Sequence, residues 1–194
     1  MSYKLGQTLA AATLAASALA AHTVQAQTLA QHFHAQVSGT AQVIEVIDPQ
    51  GAVLRFATQT EGAGSFGLTG YLSTDVVNLA TGQGSGSNRF VAGNGDELLG
   101  TFTVQVFPTG APGALRVEGQ TVFQGGTGIF DGATGSASFV GTGQFVSQTQ
   151  ALVSFVHEGQ LSMVPEPATA ALLLGGRALL YQSRSGAPSG NKLR

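Results

Sequence analysis

Ionisable side chains are few enough in this 194-residue chain to be weighed one at a time. Arg116 and Glu118 alternate on one face of the segment Leu115–Phe123. Facing an enclosed interior, such a pair would polarise or orient a ligand, because buried pairs are where perturbed pKa values occur. Facing solvent, it is a salt bridge worth under about 1 kcal/mol. The alternation does not assign the face. His32 and His34 are two apart and share a strand face, while His157 lies on the last strand candidate. If the first and last strands pair, the three imidazoles form either a transition-metal site or a polar patch at the seam. Spacing alone does not carry the metal, so none is assigned. Asn94, Asp96 and Glu97 offer oxygens to Ca²⁺, but without EF-hand spacing Asn-Gly-Asp reads as a β-turn. Gly62-Ala63-Gly64-Ser65-Phe66-Gly67 fits G-x-G-x-x-G, yet an alternating strand follows it where the dinucleotide fingerprint needs a helix.

No cysteine is present, which excludes disulfides, thiol nucleophiles and thiolate metal sites. Neither a G-x-S-x-G elbow nor an H-E-x-x-H motif occurs. No catalytic residue and no cofactor is therefore assigned.

The elements that must position these residues alternate at period two. Ala41–Ile47, Ala52–Thr58, Phe66–Leu72, Leu98–Phe107, Leu115–Phe123, Ser136–Val146 and Ala151–Met163 read as strands. Asp48-Pro49-Gln50-Gly51 reads as the first turn. The glycine-rich stretches Thr81–Ser87, Phe107–Gly113 and Gly125–Gly135 read as further breaks. Evenly spaced strands with short turns predict an all-β domain, a single antiparallel barrel of about eight strands or alternatively a β-sandwich. Closure would remove the edges that lysines usually guard.

Charge is scarce at 9% of residues, against roughly 25% in an ordinary domain. Between Gln27 and Val164 nine acidic residues face only Arg55, Arg89 and Arg116, a net charge of −6 without a single Lys. Phosphate contacts require clustered Lys and Arg, so nucleic acid is excluded as a partner.

The ends read as addresses. Residues 1–26 carry Lys4, an uncharged Ala/Leu run from Leu5 to Ala21, and small residues up to Ala26. That is the order of a secretory signal peptide, with cleavage expected between Ala26 and Gln27 and Ala18-Leu19-Ala20 offering a second A-x-A site. The Sec translocon and signal peptidase are the partners it implies. The domain then spans 27–163, and residues 164–194 form a separate terminal segment. There Val164-Pro165-Glu166-Pro167 precedes an apolar run from Ala168, and Arg177, Arg184, Lys192 and Arg194 follow. The two prolines hold Glu166 in an extended strip suited to a protease groove.

This tail resembles the PEP-CTERM sorting signal of secreted bacterial proteins, with VPEPATAALLL carrying the match. The resemblance implies an inner-membrane-anchored intermediate, cutting near Pro165–Pro167 by an exosortase, and release to the cell surface or medium. A link to exopolysaccharide and biofilm is implied in the same way. The apolar stretch from Ala168 to Tyr181 has only 14 residues and contains Arg177. As a helix it reaches about 21 Å, against a hydrocarbon core of about 30 Å. Arg177 would have to snorkel, or the signal is degenerate and the protein is simply secreted.

A second resemblance lies in the domain. Gly93-Asn94-Gly95-Asp96-Glu97-Leu98-Leu99-Gly100-Thr101-Phe102 and Phe123-Gln124-Gly125-Gly126-Thr127-Gly128-Ile129-Phe130-Asp131-Gly132-Ala133-Thr134-Gly135-Ser136 look like motifs of bacterial allene oxide cyclase and dirigent-like barrels. The resemblance implies an eight-stranded antiparallel barrel that guides a small apolar substrate. Read from its residues, the second motif is a glycine-permitted turn from which Ile129 and Phe130 plug a barrel end.

Overall fold

The computed structural model describes residues 29–164, apart from positions 49 and 51. The signal segment with its cleavage position at Ala26–Gln27, the tail from Pro165 onward with Arg177 and Arg184, and their expected helices lie outside the described residues. Eight strands follow in chain order. They are β1 (Leu29–Val46), β2 (Val53–Gly64), β3 (Leu68–Asn78), β4 (Gln83–Ala92), β5 (Glu97–Pro108), β6 (Ala114–Gly126), β7 (Thr134–Phe145) and β8 (Gln150–Met163).

Each strand is antiparallel to its sequence neighbour, and β1 pairs with β8 from Leu29 opposite Met163 to Gln42 opposite Gln150. The sheet is thus a closed up-and-down barrel, which excludes the sandwich. In β1 a bulge at Ile44 shifts the register, so that Glu45 faces outward opposite Arg55.

Three strands depart from the sequence expectation, and one of them is β1, which starts at Leu29 rather than Ala41. Gln83–Ala92 is β4, where composition predicted a turn over Thr81–Ser87. Its inward positions include Gly84 and Gly86, and its outward ones Ser85 and Ser87, so the alternation is small against polar. A Cβ at Gly84 would lie only 2.6 Å from the Val76 carbonyl oxygen, so glycine here serves close strand approach. Strand β3 also continues six residues beyond Leu72.

Glycine serves the packing in a second way. Several inward phenylalanines face a glycine on a neighbouring strand: Phe33 opposite Gly159, Phe102 opposite Gly86, Phe123 opposite Gly100, Phe139 opposite Gly119, and Phe155 opposite Gly141. A Cβ at Gly119 would collide with the Phe139 ring, and one at Gly141 with the Phe155 ring. Large and small residues therefore alternate round the interior, which lets a narrow barrel fill itself at native density.

The interior has two halves. One end, where β1 begins and β8 finishes, is packed by Phe33, Phe90, Leu98, Phe123, Phe130 and Leu161. The segment between β6 and β7 closes it as a 3-10 turn, with Phe130 fully buried and Ile129 39% exposed. Asp96 clamps this turn by accepting hydrogen bonds from the Ile129 backbone N–H (3.1 Å) and the Asn94 side-chain amide (2.9 Å). The Glu97 N–H donates to the Thr127 hydroxyl at 2.9 Å. The two glycine-rich motifs are thus halves of one clasp. At the opposite end the core residues Leu54, Phe56, Val77, Phe102, Val104, Val117 and Phe139 leave space.

Outside, the wall mixes Gln, Ser and Thr with exposed apolar side chains such as Ile44, Val122, Val140 and Leu152, and among the described residues the arginines form the pairs Glu45–Arg55, Arg89–Glu97 and Arg116–Glu118.

Candidate lumenal site

Strand β3 supplies the polar chemistry of the lumen. Period two sends Tyr71, Ser73, Asp75 and Val77 inward together, from a packed middle toward the open end. Asp75 has Phe56 opposite it on β2 and Gly86 opposite it on β4. At this end the inward side chains of β5 to β8 do not fill the lumen across from Asp75. The result is a cavity of about 80 Å³ at the open end, walled by Phe56, Phe102, Val104, Val117, Phe139 and Phe155, with Thr58, Tyr71, Ser73 and Asp75 as its polar members. That is several times the space one water molecule needs.

The Ser73 hydroxyl donates to the Asp75 carboxylate at a long 3.4 Å. Burial pushes the Asp75 carboxyl up to about 6, and the Ser73 bond offsets only part of that shift. Among the described residues all three arginines are paired on the outer wall, so no guanidinium faces Asp75. Burial likewise pushes the Tyr71 hydroxyl up to about 12.

Beneath the cavity lies a second polar group. His157 is fully buried among Tyr71, Phe90, Phe139 and Phe155, with ring centroids 5.0–6.3 Å away. Neither of its ring nitrogens has a hydrogen-bond partner among the described residues. Burial, with a smaller contribution from His34, lowers it to about 4, so it is a neutral imidazole at physiological pH. Asn88 donates to the Thr121 hydroxyl at 3.1 Å and leaves its own carbonyl oxygen unpartnered.

The residues singled out from sequence fall elsewhere. Arg116 and Glu118 lie on the outer wall as a salt bridge, with side chains 51% and 44% exposed, and Arg116 stacks over Phe107 at 4.3 Å. They face away from the lumen because buried Val117, between them, takes the inward position. His32 and His34 also face outward, where both grip Glu158, at 2.9 and 2.7 Å. The His34 hydrogen bond holds the Glu158 carboxyl below its usual range. His157 points through the wall to the other side, so the three imidazoles do not converge. Among the described residues no group of three metal-ligating side chains assembles. Val164 ends the described chain at the plugged end, beside Gly132.

Tyr71, Ser73 and Asp75 do not read as a set in the sequence, where the third strand's alternation ends at Leu72. Their spacing, i, i+2 and i+4, was the available signal once the strand was known to continue.

Fold and lumen together define a class: a closed antiparallel barrel with a plugged end and an apolar cavity that, among the described residues, carries Asp75 as its carboxylate. Compared with known protein families, curated proteins and solved structures, the chain matches none.

Proposed function

We propose that this protein is an exported cell-surface or matrix barrel that holds a small, mostly apolar molecule in its lumen. The observation that carries the reading is the cavity itself, apolar with a few convergent polar groups and open at one end, so that its volume of about 80 Å³ seats one end of a ligand whose remainder lies at the mouth. It opens at the end opposite the point where the described chain finishes. A tail held at a membrane would therefore leave the mouth free.

Gly143 provides the test. It lines the cavity, and a Cβ there meets nothing closer than 3.7 Å. Gly143→Val should fill the cavity without moving the backbone. Benzyl alcohol added to the purified protein is expected to shift the NMR methyl signals of Val104, Val117 and Val153, and Gly143→Val should abolish the shifts. Unchanged methyl signals in the wild type would refute lumenal binding. An isomerase-like role is the second reading, favoured by one observation. A carboxyl near pH 6 in a water-poor cavity suits proton transfer near neutrality.

Delivery rests on sequence. The VPEP segment supports sorting through an exosortase, after export by the Sec translocon and signal peptidase, with exopolysaccharide as a candidate partner at the destination. Replacing Pro165, Glu166 and Pro167 together with alanine is expected to trap the protein in the inner-membrane fraction. If wild type and variant distribute and migrate identically, the sorting proposal fails.

A further inference from the structure

The lumen contains a charge that nothing in the barrel neutralises. Asp75 sits on the cavity wall between Phe56 and Gly86, and its recorded hydrogen bond is the long one from Ser73. Each described arginine is engaged outside, and the described residues contain no Lys. The titratable groups nearest on the inner wall are Tyr71, on the same strand, and His157 of β8, which lies deeper. Both are neutral near pH 7 and supply no countercharge. Among the described residues neighbouring β2 contributes Phe56 and Thr58 to the lining, and β4 contributes none. The facing strands β5 to β8 contribute apolar residues to the cavity. A carboxylate lodged among aromatic faces with an adjacent void has one obvious complement. An organic ammonium satisfies the carboxylate by a charge-assisted hydrogen bond and the ring faces by cation–π attraction.

We propose that the lumenal ligand carries a cationic nitrogen, an amine on a small apolar body, with Asp75 as its anchor and Phe56, Phe102 and Phe139 around it. The proposal rests on the lumenal reading above and names the chemical class that reading leaves open. An acidic domain adds to it, because a net negative field draws cations toward the mouth.

The experiment compares benzylamine with its neutral counterpart benzyl alcohol on the purified full chain, read by NMR shifts of the lumenal valine methyls. At about pH 8 benzylamine should bind about tenfold or more tightly than benzyl alcohol, the scale of a partly desolvated cation–π and charge contact. Asp75→Asn should bring the two to similar affinity while leaving benzyl alcohol unchanged. Should that variant not fold, the wild type still decides the matter. Benzylamine stays protonated across the acid range, so its affinity should fall as Asp75 takes up a proton below about pH 6, while that of benzyl alcohol stays constant. Equal binding of both probes, or benzylamine binding indifferent to Asp75 and to pH, overturns the cationic class and leaves the lumenal site standing. If neither probe enters, the lumenal reading falls as well.

Discussion

Phe130→Ala is expected to remove much of the barrel's stability, about 3–5 kcal/mol, the usual cost of truncating a buried aromatic ring. Phe130 is fully buried and meets Phe66 edge-on at a centroid distance of 6.2 Å. It also belongs to the cluster of Phe33, Phe90, Leu98 and Phe123 that seals this end. The loss is large because the surrounding rings are held by a closed sheet and cannot collapse into the hole. Against a total of about 5–15 kcal/mol for a domain, the midpoint of thermal unfolding should fall by roughly 10–15 °C. Ile129→Ala supplies the internal comparison. Ile129 is the neighbouring residue of the same turn but is 39% exposed, and its truncation should cost about 1 kcal/mol or less. Denaturant unfolding of the two variants decides the point, and equal losses would show that Phe130 is no plug.

Asp75→Asn should have the opposite effect on stability, and one that depends on pH. The folded carboxyl is raised to about 6 from its ordinary 3.8, so the native state binds this proton more tightly than the unfolded chain does. Stability attributable to Asp75 is therefore highest below about pH 4 and declines as pH rises through 6. The full penalty above that range is about 2–3 kcal/mol, at 1.36 kcal/mol per pKa unit and reduced for the solvent that reaches the cavity mouth. Asparagine keeps the shape without the charge. The variant should match the wild type near pH 4 and exceed it in denaturant midpoint near pH 7.5. Glu158 titrates with the opposite slope, since its folded carboxyl is lowered, but it is common to both proteins and cancels in the difference. A gap constant with pH would mean that Asp75 is not desolvated. A stabilising substitution at a lumenal carboxylate is what a binding site predicts, because charge held ready for a ligand is costly until the ligand arrives.

Much of the architecture was legible in the residues. Apolar-polar alternation located seven strands, and the glycine-rich motif between β6 and β7 was readable as a plug with Phe130 in it. Strand β4 was not, because Gln83-Gly84-Ser85-Gly86-Ser87 alternates in size rather than hydropathy and carries the composition of a turn. The candidate site was largely illegible. Arg116 and Glu118 drew attention as charges at strand spacing, but their face depends on which way Val117 points. Asp75 is one of nine acidic residues in the domain, and its own segment does not distinguish it from a solvent carboxylate.

The chain's own residues determine an all-β domain without thiol chemistry. The glycine and phenylalanine content needed to fill a narrow barrel is present in it too. Period-two patterning is local, so it survives in one dimension and can be read there. Which side of the wall is lumen, and what lies across from what, is set only when β8 returns to β1 and closes the sheet. Closure turns His32 and His34 away from His157, puts glycines opposite phenylalanines, and encloses Asp75 with no cation beside it. Burial and pairing are relations between distant segments, and the free energy of a charge depends on both.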